Sequence, residues 1–135
     1  MSKHWTKEAI LDIYNKPLIE LVYEAAKTHR ENHNPLEVQI STLLSIKTGG
    51  CPEDCGYCPQ AARYHTDIVT NELMSVSQVK AQALRAKSNG SSRLCMGAAW
   101  RNIQNNEEFD QVLEMVKTVN NLEMEVCCTL GMMTE

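Results

Sequence analysis

The chain has 135 residues, 43% of them hydrophobic and 22% charged, which is the composition of one folded domain and excludes a disordered or repeat-built protein. Its formal net charge of -4, with Lys and Arg scattered, leaves no basic footprint, so neither nucleic acid nor an anionic membrane is an expected partner. The opening MSKHWTKEAILDIYNK mixes both charge signs without the apolar stretch of a secretory signal, and no run approaches the roughly 18 apolar residues of a membrane span, so a cytoplasmic location is expected.

Thr6 can cap a short helix carrying Ile10, Leu11 and Tyr14, and Pro17 suits the first turn of a second one. In that second helix Leu18, Leu21, Val22 and Ala25 fall on one stripe, which predicts a packing layer or lid. Asn34 and Pro35 break the pattern, so residues 1–35 read as a helical segment and 36–135 as a separate core. VQISTLLSI, residues 38–46, has no helical stripe and predicts a strand. A loop rich in Gly, Pro and Cys follows it.

Ser75 and Gln78 then form a capping-box pattern ahead of a helix carrying Val76, Val79, Ala83 and Ala86, which stops at Asn89-Gly90. RLCMGAA, residues 93–99, predicts a second strand running into a turn. A further helix places Phe109, Val112, Leu113 and Val116 on one face, and EMEVCCTLG, residues 123–131, predicts a third strand. Met132 and Met133 fit the gap-filling use of methionine in cores. Two helices followed by βαβαβ predict an α/β protein with a parallel sheet.

Side chains alternate between the two faces of a strand. Ile40, Leu44 and Ile46, then Leu94 and Met96, then Met124, Val126, Cys128 and Leu130 would form an apolar face. Ser45, Lys47, Arg93, Cys95, Glu125 and Cys127 would share the other, more polar one. A sheet covered by helices on both sides is apolar on both, so a consistently polar side predicts a barrel interior or open cleft. Cys95 and Cys127 then become candidate metal ligands, while Cys128 reads as a small core residue.

The densest chemistry is CPEDCGYCPQ, where Cys51, Cys55 and Cys58 are spaced C-x3-C-x2-C. Six cysteines in a reducing compartment point to metal ligation rather than disulfides. A tetrahedral zinc site or a cysteine-bound cluster normally takes four protein ligands. Three therefore either recruit a distant fourth, as in a zinc knuckle, or leave one coordination position open. No fourth ligand is well placed: His65 is the nearest histidine, and His4, His29 and His33 carry no stronger claim.

An aromatic residue directly before the last cysteine of such a motif resembles the signature of the radical S-adenosylmethionine enzymes. The longer words STLLSIKTGGCPEDCGYCPQAARYHT, RLCMGAAWRN and CTLG are similar to those of one family among them, the biotin synthases, and the resemblance runs from KPLIELVYEAAKTHR to Gly131. It implies that Cys51, Cys55 and Cys58 bind a 4Fe-4S cluster whose open iron takes S-adenosylmethionine, with Tyr57 near the adenine. It further implies that the one-electron cleavage of that cofactor yields a 5′-deoxyadenosyl radical, which abstracts hydrogen from dethiobiotin in its sulfur-inserting conversion to biotin. Cys95 and Cys127 match the first two ligands of a 2Fe-2S cluster, the sulfur donor, and Cys128 matches a non-ligand position. Gly97, Ala98, Ala99 and Trp100 stand where relatives hold the methionine end of the cofactor. An electron donor such as flavodoxin or ferredoxin and a homodimeric full-length protein are also implied.

The implied fold is a (β/α)8 barrel, which takes about 250 residues, so the chain is expected to supply N-terminal helices and only the first βαβαβ part of it, and to be inactive alone. Two other readings compete: another radical S-adenosylmethionine enzyme, such as a lipoyl synthase, whose additional N-terminal cysteine cluster is missing here, and a non-enzymatic zinc or iron-sulfur module.

Overall fold

The computed structural model describes residues 4–132. The chain divides into two compact units, Met1–Val38 and Gln39–Glu135.

The first unit holds α1 (Lys7–Tyr14) and α2 (Leu18–Asn32). Thr6 caps α1, its Oγ1 accepting from the Ala9 N–H at 3.2 Å. Pro17 stands at the N-cap of α2 rather than inside the first turn, where its missing N–H again leaves no helical bond unmade. The expected packing stripe does not form a buried layer: no residue of either helix is buried, and Leu18 and Val22 are exposed. Two helices of 8 and 15 residues have too little mutual surface to enclose a core.

The second unit runs β1 (Ser41–Lys47), α3 (Val76–Ser88), β2 (Arg93–Ala98), α4 (Glu107–Asn120) and β3 (Glu125–Thr129). Its sheet is parallel in the order β1-β2-β3. The first strand begins at Ser41, later than the sequence pattern suggests, because its partner begins opposite it at Arg93. Ile40 still accepts from the N–H groups of Ser92 and Arg93 at 3.0 and 3.3 Å.

Helix α3 opens on a complete capping box between Ser75 and Gln78. It closes on Gly90, whose φ of 89° is strained for any residue with a Cβ. The Gly90 N–H bonds to Lys87 and the Ser91 N–H to Ala86, the paired pattern of a Schellman cap. Ser75→Ala should therefore cost about 1 kcal/mol, read as a lower urea midpoint at unchanged slope.

On α4 the buried residues are Val112, Met115 and Val119. The predicted face is rotated: Leu113 is 42% exposed and Phe109 and Val116 are half-buried. Spacings of three and four turn Val112, Met115 and Val119 together toward α3 and the sheet, where they join one core with Val79, Ala83, Ala86, Ile46, Leu94 and Met96. Both helices thus cover the same face of the sheet. Met132 is 54% exposed rather than filling a core gap, its backbone being held in a turn by Arg101 and Ile103. Met133 lies outside the described residues. No helix among the described residues is long and apolar enough to cross a membrane.

Candidate functional site

The uncovered face of the sheet is arranged in rows fixed by the strand register. Ser41, Arg93 and Glu125 lie side by side, then Leu43, Cys95 and Cys127, then Ser45, Gly97 and Thr129. In the first row Arg93 donates from Nε and NH2 to Glu125 Oε2 at 2.9 and 2.6 Å, and Gln39 donates to the same oxygen at 2.8 Å. These bonds, Arg93 first and Gln39 second, hold the Glu125 carboxyl below its usual range.

In the second row Cys95 and Cys127 lie directly opposite each other on paired strands. Partial loss of water raises the Cys95 thiol, the Cys127 thiol raises it further, and Arg93 and Ser41 act in the opposite sense. Cys128 points the other way and packs against the core, where burial pushes its thiol up. Alternation along β3 therefore separates the two adjacent cysteines, Cys127 being exposed and Cys128 half-buried.

The cysteine loop leaves the C-terminal end of β1 and returns to it. Thr48 and Asn71 pair as an antiparallel bridge, and the Met74 N–H bonds back to Ile46 at 2.8 Å. Inside this excursion Cys51 is fixed on both sides, donating to the Gln60 carbonyl at 3.0 Å and accepting from the Ala62 N–H at 2.8 Å. The Cys58 N–H bonds to the Cys55 carbonyl at 2.9 Å, and the Gly49 N–H to Gln60 Oε1 at 3.1 Å. Cys51 and Cys58 are half-buried, Cys55 is exposed, and all six cysteines of the chain are free. Among the described residues no three His, Cys, Asp or Glu side chains gather closely enough to hold a single metal ion. Thiolates that bind separate corners of a cluster lie farther apart than the ligands of one ion.

Two acids of the motif, between Cys51 and Cys55, leave in different directions. Asp54 stays local: it pairs with Arg63 at 2.5 Å and accepts from the Tyr64 hydroxyl at 2.7 Å, a bond that raises the Tyr64 pKa. Glu53 reaches out of the loop to Arg101, at 3.0 Å. Neither pairing was foreseen from the sequence, where the acids are visible and their partners are not. Tyr57 is 91% exposed.

The segment after β2 supplies backbone more than side chains. Ala99 is buried, and Trp100 packs against the core. A Cβ placed on Gly97 would meet nothing nearer than the Thr129 carbonyl at 4.0 Å. The chain's own packing therefore does not require glycine there, and the bare backbone faces open space beside Cys95.

Sequence comparison adds the decisive observation. No family model matches the chain. The biotin synthase of Flavobacterium psychrophilum is 76% identical over all 135 residues, that of Nostoc punctiforme 52% over 130 residues, and that of Schizosaccharomyces pombe 50% over 133. The chain is a homologue of the biotin synthases. It spans 37–39% of the length of these three relatives. The five thiols of Cys51, Cys55, Cys58, Cys95 and Cys127 thus belong to a stretch of chain shared at high identity with biotin synthases from bacteria and a yeast.

Proposed function

We propose that the chain carries the cofactor-binding part of a biotin synthase, the radical S-adenosylmethionine enzyme that inserts sulfur into dethiobiotin to form biotin. The observation that carries this reading is the 50–76% identity to biotin synthases, and the free thiols fit it: three in the loop at the C-terminal end of β1 and two side by side on the uncovered sheet face. Residues 1–35 would then be a helical segment and 36–135 the first three strands of a (β/α) barrel. A sheet with helices on one face and a mixed polar row structure on the other suits a barrel wall, whose inward positions line the reaction chamber.

Cys51, Cys55 and Cys58 would hold a 4Fe-4S cluster. Their donor set fits it: three free thiols on a backbone already pinned by its own hydrogen bonds, with no fourth cysteine in the loop. When bound, that cluster supplies the electron that splits S-adenosylmethionine at its open iron and so generates the hydrogen-abstracting radical. Gly97 leaves room for the cofactor's methionine end to approach the backbone of residues 97–100, and the exposed ring of Tyr57 offers a stacking surface for the adenine. Cys95 and Cys127 would be two ligands of a 2Fe-2S cluster, with Arg93 and Glu125 closing the row beneath them. A cytoplasmic setting, an electron donor such as flavodoxin or ferredoxin, and a homodimeric whole protein complete the proposal.

Anaerobic treatment with iron and sulfide should give a brown chain with the Mössbauer signature of a 4Fe-4S cluster. S-adenosylmethionine should perturb the EPR signal of the reduced form, as an open iron requires. A tightly bound colourless zinc, with no cluster, would overturn the assignment.

A further inference from the structure

Three loops leave the C-terminal ends of the three strands, and Arg101 touches all of them. It belongs to the loop after β2. Its carbonyl accepts from the Met132 N–H at 2.9 Å, in the turn after β3. That turn closes on it tightly: a Cβ on Gly131 would lie 2.6 Å from the Trp100 carbonyl oxygen and 2.7 Å from that of Arg101. Gly131 has φ 85°, so both its space and its backbone conformation favour glycine. With its main chain held this way, Arg101 extends its guanidinium to Glu53, between Cys51 and Cys55 in the loop after β1.

The Glu53 end of this contact is unusual. Its Oε1 is buried, yet makes no hydrogen bond of good geometry, and the guanidinium 3.0 Å away is its charge partner. A carboxylate oxygen withdrawn from water is costly unless a cation compensates it, and loss of the cation strands the charge. The adjacent acid, Asp54, is satisfied within its own loop by Arg63 and Tyr64. Of the two acids in the motif, Glu53 is the one that ties the cysteine loop to the loop after β2.

We propose that Glu53 and Arg101 are a positioning pair, which sets the cysteine loop against the Gly97–Trp100 backbone and so fixes the spacing between the loop thiols and the cofactor-contacting segment. The pair acts through the elements it joins. Its role toward a cluster rests on the function proposed above, whereas its role in ordering the loop stands on the contacts alone.

Hydrogen exchange on the metal-free chain tests the ordering directly. Glu53→Gln and Arg101→Gln should each speed amide exchange in residues 51–58 about fivefold, the scale of one partly exposed ion pair, with α3 and α4 unchanged. Arg101→Lys, which keeps the charge, should stay close to the parent, and the exchanged pair Glu53→Lys with Arg101→Glu should recover part of the protection. Unchanged exchange in the loop, equal acceleration throughout the unit, or no recovery in the exchanged pair would overturn the proposal. In the iron-loaded chain the two glutamine variants should also lose iron to a chelator about tenfold faster. If the parent takes up no cluster, the functional reading fails, while the exchange measurement still decides the pair.

Discussion

Single replacement of Cys51, Cys55 or Cys58 by alanine is expected to abolish retention of a 4Fe-4S cluster, each variant keeping less than about a tenth of the parent's iron and sulfide. The three thiols share one short loop and no fourth cysteine stands in it, so each loss leaves a two-point chelate that cannot close around three corners of a cube. The loop itself should survive, because its shape rests on the bonds of Cys51, Gln60 and Ala62 main chain and on the Thr48–Asn71 bridge. Circular dichroism and the urea midpoint should therefore stay near the parent while the visible absorption disappears. The neighbouring pair on β3 provides the internal contrast. In a whole biotin synthase carrying this segment, Cys127→Ser should disturb a second, distinct 2Fe-2S signal, and Cys128→Ser should leave both signals in place, because Cys128 faces the core. The reverse result would mean that β3 presents its other face to the open side.

Features set by neighbours in the chain were legible from the sequence. The Ser75–Gln78 box and the glycine stop after α3 depend on residues within a few positions of each other, and both appear as expected. Alternation within each strand, with the polar character of one side, put Cys95 and Cys127 on the same face, and the register pairs them directly. Features set by distant partners were not legible. The first strand starts at Ser41 because β2 starts at Arg93, and no local signal in residues 38–40 carries that fact. The apolar residues of α4 admit more than one stripe, and packing against α3 and the sheet selects Val112, Met115 and Val119. The stripe on α2 has the right period for a packed helix, but periodicity does not supply a surface to pack against. Glu53 and Arg101 are 3.0 Å apart in space and far apart in sequence, and an acid in a loop is ordinarily read as solvated.

Leu94→Ala is expected to destabilise the second unit by about 2–5 kcal/mol, whereas Leu43→Ala should change stability by no more than about 0.5 kcal/mol. The two leucines sit on adjacent paired strands and are chemically identical, so the comparison isolates the face each one occupies. Leu94 is 0% exposed and packs in the core formed with α3 and α4. Truncation there removes buried methyl groups and leaves a cavity that the surrounding helices only partly fill. Leu43 is 78% exposed and lies directly beside Cys95 in the row that continues to Cys127. Truncation there takes little apolar surface out of a packed environment. Urea unfolding at matched slopes measures both. Equal losses for the two variants would show that the second face is also packed, which would leave no open chamber for the thiol pair to line. A small loss for Leu43→Ala, with a large one for Leu94→Ala, would instead fit a sheet that folds on its helix side and keeps its cysteine side for ligands.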